Sequence, residues 1–74
     1  MSIRQRYGVL VYNKEMDRFD IQFDFDVYYG GLHCGQCLDV QVGGRWVPTR
    51  IEMSSDWYLV GIETDNLVGL RARI

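Results

Sequence analysis

Residues 19–27 read Phe19-Asp20-Ile21-Gln22-Phe23-Asp24-Phe25-Asp26-Val27, the clearest alternating pattern in the sequence. Apolar and polar side chains alternate along it, which predicts a β-strand with one buried face. The upstream residues Tyr7, Val9 and Val11 alternate in the same way, and the polar residues 13–17 form a connection of hairpin length. We therefore expect two antiparallel strands with the apolar residues of both on one face.

A five-residue loop predicts the register of this first hairpin. It places Tyr12 opposite Arg18 and Val11 opposite Phe19, so that both apolar sets face the same side. On the other face this register opposes unlike charges, which favours pairing. The two expected charge pairs are Arg6 with Asp24, and Arg4 with Asp26.

A second hairpin is predicted at Val42-Gly43-Gly44-Arg45, because two glycines supply the positive φ angles of a two-residue turn. Its register places Val40 opposite Val47 on the core face. Pro48 cannot donate a ladder hydrogen bond, so we expect it at a sheet edge or a bulge. The reverse face then carries Trp46, Pro48 and Arg50.

The next predicted turn is Ser54-Ser55-Asp56, and the register of the strand that follows it is left open. A two-residue loop would turn Tyr58 and Val60 toward the core, whereas a three-residue loop would turn Trp57 and Leu59 inward. A last strand is predicted over residues 67–74, with its arginines facing away from its apolar residues.

About five to six short strands with tight turns predict an all-β fold. We expect either a small SH3-like barrel or a strongly curved antiparallel sheet, because both bury a shared apolar face. The 74 residues are expected to form one domain, 1–74.

Composition and motifs argue against several classes of function. The net charge of −2 provides no positive field for general nucleic-acid binding. No apolar run approaches the roughly 20 residues of a membrane span, and Met1–Arg6 is too short and polar for a secretion signal. We therefore expect a cytoplasmic protein that does not bind membranes. No nucleophile motif, phosphate loop or metal-binding helix is present, so we expect neither an enzyme nor a cofactor.

The sharpest chemical hypothesis concerns His33, Cys34 and Cys37, whose residue types and spacing match half of a zinc site. A closed zinc site needs four ligands, and the chain has no second cysteine pair and only one histidine. A redox role is disfavoured because the second cysteine enters a strand instead of a helix. Two reduced, partly buried thiols are the favoured interpretation.

Aromatic and arginine side chains give the main binding hypothesis, because they combine large contact area with directional hydrogen bonding. The competing interpretation is that some of these rings fill the core. The acidic stripe Asp20, Asp24 and Asp26 could mimic nucleic-acid phosphates, but such stripes are more often solvated strand faces. The candidate partner-binding residues are Tyr28, Tyr29, Trp46, Arg50 and Trp57.

Four motifs follow one another along the chain: Leu32-His33-Cys34-Gly35-Gln36-Cys37, residues 44–52 (GRWVPTRIE), residues 56–61 (DWYLVG) and residues 67–74 (LVGLRARI). In this order they resemble a small uncharacterised domain family found in Firmicutes and their plasmids and phages. The resemblance covers roughly residues 30 to 74. It implies a mobile-element origin and no established activity.

Two classes of function follow. The first is a binding module, encoded by a phage or plasmid, that binds and inhibits a host defence protein. The second is a protein that sequesters a nucleotide or other small molecule, in which a homo-oligomer would supply the pocket that one small barrel cannot enclose.

Overall fold

The computed structural model describes residues 5–74, whose regular elements are all β-strands. This confirms the all-β prediction, with seven strands instead of five or six. Residues 5–74 contain no helix that is long and apolar enough to cross a membrane. The strands are β1 (Tyr7–Asn13), β2 (Arg18–Asp24), β3 (Val27–Tyr28), β4 (Gln36–Val42), β5 (Arg45–Met53), β6 (Trp57–Leu59) and β7 (Arg71–Arg73).

The strands form one antiparallel sheet in the order β3-β2-β1-β7-β4-β5-β6. No pairing joins β3 to β6 within residues 5–74, so the sheet is not closed into an SH3-like barrel. It is nevertheless strongly curved, because Phe19 of β2 meets Trp57 of β6 with ring centroids 6.5 Å apart. Four other strands lie between these two in the sheet order. The curved antiparallel sheet is therefore the correct alternative.

The predicted register of the first hairpin is wrong by one residue. Asn13 pairs with Arg18 across a four-residue loop, in which Asp17 adopts a left-handed backbone conformation with φ of 53°. Aspartate is one of the few residues that tolerate this conformation. Leu10 consequently lies opposite Ile21, and both side chains are fully buried.

The shift turns three apolar β1 side chains away from the core. Since side chains alternate along a strand, burial of Leu10 directs its odd-numbered neighbours to the opposite face. Within the described residues Arg6 forms no ion pair with Asp24, and its guanidinium carbon instead lies 4.2 Å from the ring centroid of Phe23. The predicted pair of Arg4 with Asp26 lies outside the described residues. The side chains wrongly assigned to the core face are Tyr7, Val9 and Val11.

The alternating stretch also ends earlier than predicted. Asp24 pairs with Val27, so Phe25 and Asp26 form a two-residue turn between β2 and β3. Asp26 has a positive φ of 59°, and Asp24 Oδ1 accepts the backbone N–H of Phe25 at 2.7 Å. Phe25 and Val27 are therefore exposed and not part of the core face.

The second hairpin has the predicted register, with Val40 opposite Val47 and the turn at the two glycines. Pro48 lies at an edge of the sheet, as predicted, because β6 pairs with β5 only between Ile51 and Met53. The Arg50 carbonyl accepts a hydrogen bond from Val60 on the β6 side. Peptide groups alternate along a strand, so the position of the absent Pro48 N–H faces the uncovered edge.

The third turn settles the register that the sequence leaves open. Met53 pairs with Trp57 across a three-residue loop, and Leu59 is buried opposite Ile51. The last strand is shorter than predicted, covering only Arg71–Arg73, and it lies between β1 and β4. Ala72 is fully buried there, and its two arginine neighbours face the other side as predicted.

The buried core side chains lie on the concave face of the sheet, which we call the inner face. Gly8 lies on this face where β1 and β2 approach closely, and a Cβ built there would be 2.2 Å from the Gln22 carbonyl oxygen. Only glycine fits such an approach between two backbones. The buried apolar side chains are Leu10, Phe19, Ile21, Leu32, Leu38, Val40, Ile51, Leu59, Leu67 and Ala72.

Candidate functional site

The opposite surface of the sheet, which we call the outer face, presents rows of side chains that the strand pairings define. Residues paired across neighbouring strands point to the same face. One row runs from Tyr7 on β1 through Arg73 on β7 to Asp39 on β4. The adjacent row contains Tyr28, Gln22, Val9 and Arg71, which follow one another across β3, β2, β1 and β7. The outer face therefore gathers residues from both ends of the chain.

Four of these side chains form a connected group that we call the outer cluster: Tyr7, Asp39, Trp46 and Arg73. The Tyr7 and Trp46 rings meet edge to face with centroids 5.6 Å apart. The guanidinium carbon of Arg73 lies 4.6 Å from the Trp46 ring centroid, and its Nε donates to Asp39 Oδ2 at 2.8 Å. This hydrogen bond raises the pKa of Arg73, which therefore stays charged.

A shallow depression of about 370 Å³ adjoins the outer cluster at Tyr7. Its apolar lining includes Val9 and Phe25, and its rim includes Arg71. Arg71 is exposed and forms no ion pair with any residue between 5 and 74. The depression therefore combines apolar side chains with charges of both signs, because Asp24 and Arg71 both line it. We call it the Phe25 depression.

The structure divides the predicted partner-binding residues into two groups. Tyr28 and Trp46 lie on the outer face, and Arg50 projects from the same side of β5. The Arg50 Nε already donates to Glu52 Oε2 at 2.8 Å, which leaves its guanidinium only partly available. Tyr29 and Trp57 are instead partly buried and pack against the core.

The two core-packed aromatics have clear structural surroundings. The Tyr29 hydroxyl accepts a hydrogen bond from Gln36 Nε2. Trp57 packs edge to face on Phe19, and its indole Nε1 is buried without a hydrogen-bond partner among the described residues. Because their contact area is directed inward, these two residues contribute little surface to a partner.

The geometry gives the alternative hypothesis of a zinc half-site no support. His33, Cys34 and Cys37 are all exposed. Both cysteines are free thiols, but the expectation that they are partly buried is wrong. His33 Nδ1 lies 2.7 Å from Arg18 Nη1, so a cation competes for this ring nitrogen. In the described part of the chain, no three His, Cys, Asp or Glu side chains are grouped as metal ligands would be.

The acidic stripe has a local structural role. The buried Asp20 Oδ1 accepts the backbone N–H groups of Ile21 and Gly30, at 2.8 and 3.0 Å. Asp24 bonds to the backbone of the β2–β3 turn, as described above. Two of the three carboxylates thus bond to backbone N–H groups, which weakens the hypothesis that the stripe imitates a phosphate backbone.

Sequence reasoning missed four candidate site residues: Tyr7, Phe25, Asp39 and Arg73. The incorrect predicted register of the first hairpin placed Tyr7 on the core face, and the alternating pattern placed Phe25 there as well. The alternation of residues 71–73 correctly predicted that Arg73 faces outward, but it held no signal for the neighbouring Trp46. Their contact depends on β7 inserting between β1 and β4, a long-range pairing.

Comparison with known proteins places this architecture in a family. The family model described as "Domain of unknown function (DUF5348)" matches residues 8–74. A crystal structure of a protein from Ruminococcus gnavus, a structural genomics target, is similar with a TM-score of 0.88 and 56% identity. The match covers 93% of this chain and 100% of that one. No curated protein matches the sequence. The predicted membership of a small uncharacterised family is thus confirmed: the chain belongs to the DUF5348 family.

Proposed function

We propose that this domain is a non-enzymatic module that binds another protein through the outer cluster. The observation that carries the proposal is the mutual contact of Tyr7, Trp46 and Arg73 on the outer face. Tryptophan, tyrosine and arginine are the residue types enriched at binding hot spots. Asp39 fixes the guanidinium of Arg73, so less conformational entropy is lost when a partner binds.

The arrangement of titratable groups favours binding over catalysis. The single histidine, His33, is exposed and lies against Arg18, and it does not line the depressions beside the outer face. Two of the aspartates, Asp20 and Asp24, bond to backbone N–H groups. A general acid and base would need to converge on one enclosed site.

More specifically, we propose that the partner is a host defence protein and that the domain inhibits it. This more specific proposal is motivated by the small size of the domain and by its resemblance to a domain family found in Firmicutes and their plasmids and phages. The sequestering function is less well supported, because the depressions of one chain are shallow and open. A small-molecule pocket would have to form between copies of the chain.

Affinity capture from a lysate of the source organism, read out by mass spectrometry, tests the proposal. Wild-type protein is compared with Trp46→Ala and with Met53→Ala, which removes an exposed apolar side chain from the other end of the same strand. We expect one protein to be retained by the wild type and the Met53 variant and lost by the Trp46 variant. Equal retention by all three baits, or no retained protein, would contradict the proposal. Native mass spectrometry of the purified domain would reveal a retained small molecule instead.

A further inference from the structure

Strand β5 is nine residues long, but β6 covers only part of the edge that faces away from β4. β6 pairs with residues 51–53, and Val60 donates its N–H to the Arg50 carbonyl at 3.0 Å. The chain then turns at Gly61, which has a positive φ of 78°. Among residues 5–74 no other strand pairs with this side of β5, so residues 45–49 form an open edge. We call this segment the β5 edge.

The regular pairing of β5 with β4 determines which main-chain groups the β5 edge presents. The Arg50 carbonyl points to the β6 side, and the peptide groups of alternate residues in a strand point the same way. The N–H and C=O of Trp46 and the C=O of Pro48 therefore point away from β4. Proline has no N–H to donate. One donor and two acceptors in this order match the main chain of an extended polypeptide, the ligand that open sheet edges bind.

A shallow depression lies beside the β5 edge, where β6 ends, and we call it the corner depression. Its volume is about 270 Å³, its surface is mainly apolar, and its lining residues are Cys37, Pro48, Thr49, Arg50 and Val60. Arg50 is its one charged lining residue, and it is already paired with Glu52. The corner depression shares no lining residue with the Phe25 depression. Residues opposite one another on neighbouring strands share a face, so a residue paired with Pro48 directs its side chain toward the corner depression.

We propose that the protein partner of this domain adds one extended segment to the β5 edge. The inference rests on the proposed binding function and deepens it, because it describes how the main chain of the partner binds. One residue of the segment lies opposite Trp46 and exchanges two hydrogen bonds with its N–H and C=O. The residue two positions away donates its N–H to the Pro48 carbonyl and places an apolar side chain in the corner depression. Neither of these two partner residues is proline, because both donate an N–H.

Trp46 and Pro48 also distinguish a different protein from a second copy of this chain as the occupant. The indole of Trp46 belongs to the outer cluster, so a segment on the β5 edge lies directly beside the proposed binding surface. A two-fold pairing of two β5 edges would contain Pro48 of both copies, and each would remove a hydrogen bond from the ladder. A segment of another protein meets only one. Proline on an edge strand is a common device against such self-pairing.

Hydrogen exchange followed residue by residue by NMR tests the strand addition, with the protein retained in the affinity capture as the probe. The isotope-labelled domain is compared in its free form and saturated with that protein. We expect the exchange of the Trp46 amide to slow at least about tenfold in the complex. A scalar coupling from the Trp46 nitrogen to a labelled carbonyl carbon of the partner should distinguish a ladder hydrogen bond from simple burial. The control is the amide of Leu59, which by the same alternation points away from β5 and should exchange equally in both states.

The corner depression is tested with Val60→Asp, which places a charge in it. The matched control is Val68→Asp, at an exposed valine in another turn. Both variants should melt like the wild type, because both valines are exposed. We expect Val60→Asp to bind the captured protein about tenfold more weakly than the wild type does, and Val68→Asp to bind it equally well.

The outcomes separate this inference from the proposed function on which it rests. If the capture retains no protein, both are wrong. If a protein is retained in a Trp46-dependent manner but the Trp46 amide exchanges as in the free domain, or shows no coupling to the partner, only the strand addition is overturned. Wild-type affinity of Val60→Asp would overturn the placement of a partner side chain in the corner depression.

Discussion

The two tryptophans have different surroundings, and replacing each one with alanine should therefore have different consequences for stability. Trp57 packs against the core with its indole nitrogen buried, whereas Trp46 contacts Tyr7 and Arg73 on the outer face. We expect Trp57→Ala to be the more destabilising substitution. Trp46→Ala should leave the fold intact, as a binding residue requires.

The magnitudes follow from these contacts. An edge-to-face aromatic pair contributes about 0.5 to 1.5 kcal/mol and an exposed cation–π contact about 0.5 to 1 kcal/mol. Trp46→Ala should therefore cost about 1 to 2.5 kcal/mol. Trp57→Ala creates a void beside Phe19 and should cost about 3 to 5 kcal/mol. The total stability of a 74-residue domain is roughly 4 to 11 kcal/mol, so the second loss is a large part of it.

Urea unfolding followed by far-UV circular dichroism is the appropriate assay, because tryptophan fluorescence would change with the substitutions themselves. If Trp57→Ala does not fold, Trp57→Phe serves in its place, since it keeps a ring against Phe19 and removes the unpartnered N–H. We expect this variant to lose less stability than Trp57→Ala. A loss for Trp46→Ala equal to or greater than that for Trp57→Ala would refute the assignment of Trp46 to the outer face.

Three further predictions concern turns and close contacts. Gly8→Ala should cost about 3 kcal/mol in urea unfolding, because the new Cβ collides with the backbone of β2; an unchanged midpoint would disprove the close approach. Replacing Gly43 and Gly44 with valine should cost roughly 2 kcal/mol or more, because both have positive φ; an unchanged melting temperature would show that the turn is misassigned. The hydrogen bond to Asp17 raises the pKa of Tyr12 above 10.0, so its stabilising effect is present below that pH and is lost as pH rises through the folded-state pKa. Between pH 8 and about 11, the melting temperature of Tyr12→Phe should therefore fall less than that of the wild type. Identical pH profiles of the melting temperature for both proteins would argue against this effect.

The parts of the fold that were predictable are those whose turns carry specific chemistry. Gly43 and Gly44 allow only a short turn, and the register of β4 with β5 follows from it. The first hairpin lacks such a constraint. Asp17 adopts a glycine-like conformation there, and the run from Val9 to Tyr12 is apolar on both faces. Alternation alone therefore could not choose between two registers one residue apart.

The candidate site was only partly predictable for a related reason. Trp46 was correctly assigned to the face opposite Val40 because the register of its hairpin was known. Tyr7 and Arg73 join it through pairings between strands at opposite ends of the chain. Local patterns do not encode which distant strands become neighbours. Trp57, predicted as a partner residue, packs inward because a three-residue turn fixes its face.

The most direct test of the outer cluster as a binding surface is calorimetric titration of the captured partner with Trp46→Ala. We expect binding to weaken about 30-fold relative to the wild type, which corresponds to about 2 kcal/mol for the loss of one hot-spot residue. Met53→Ala should bind like the wild type. If the partner binds Trp46→Ala with wild-type affinity while both proteins are fully folded, the outer cluster is not the binding surface.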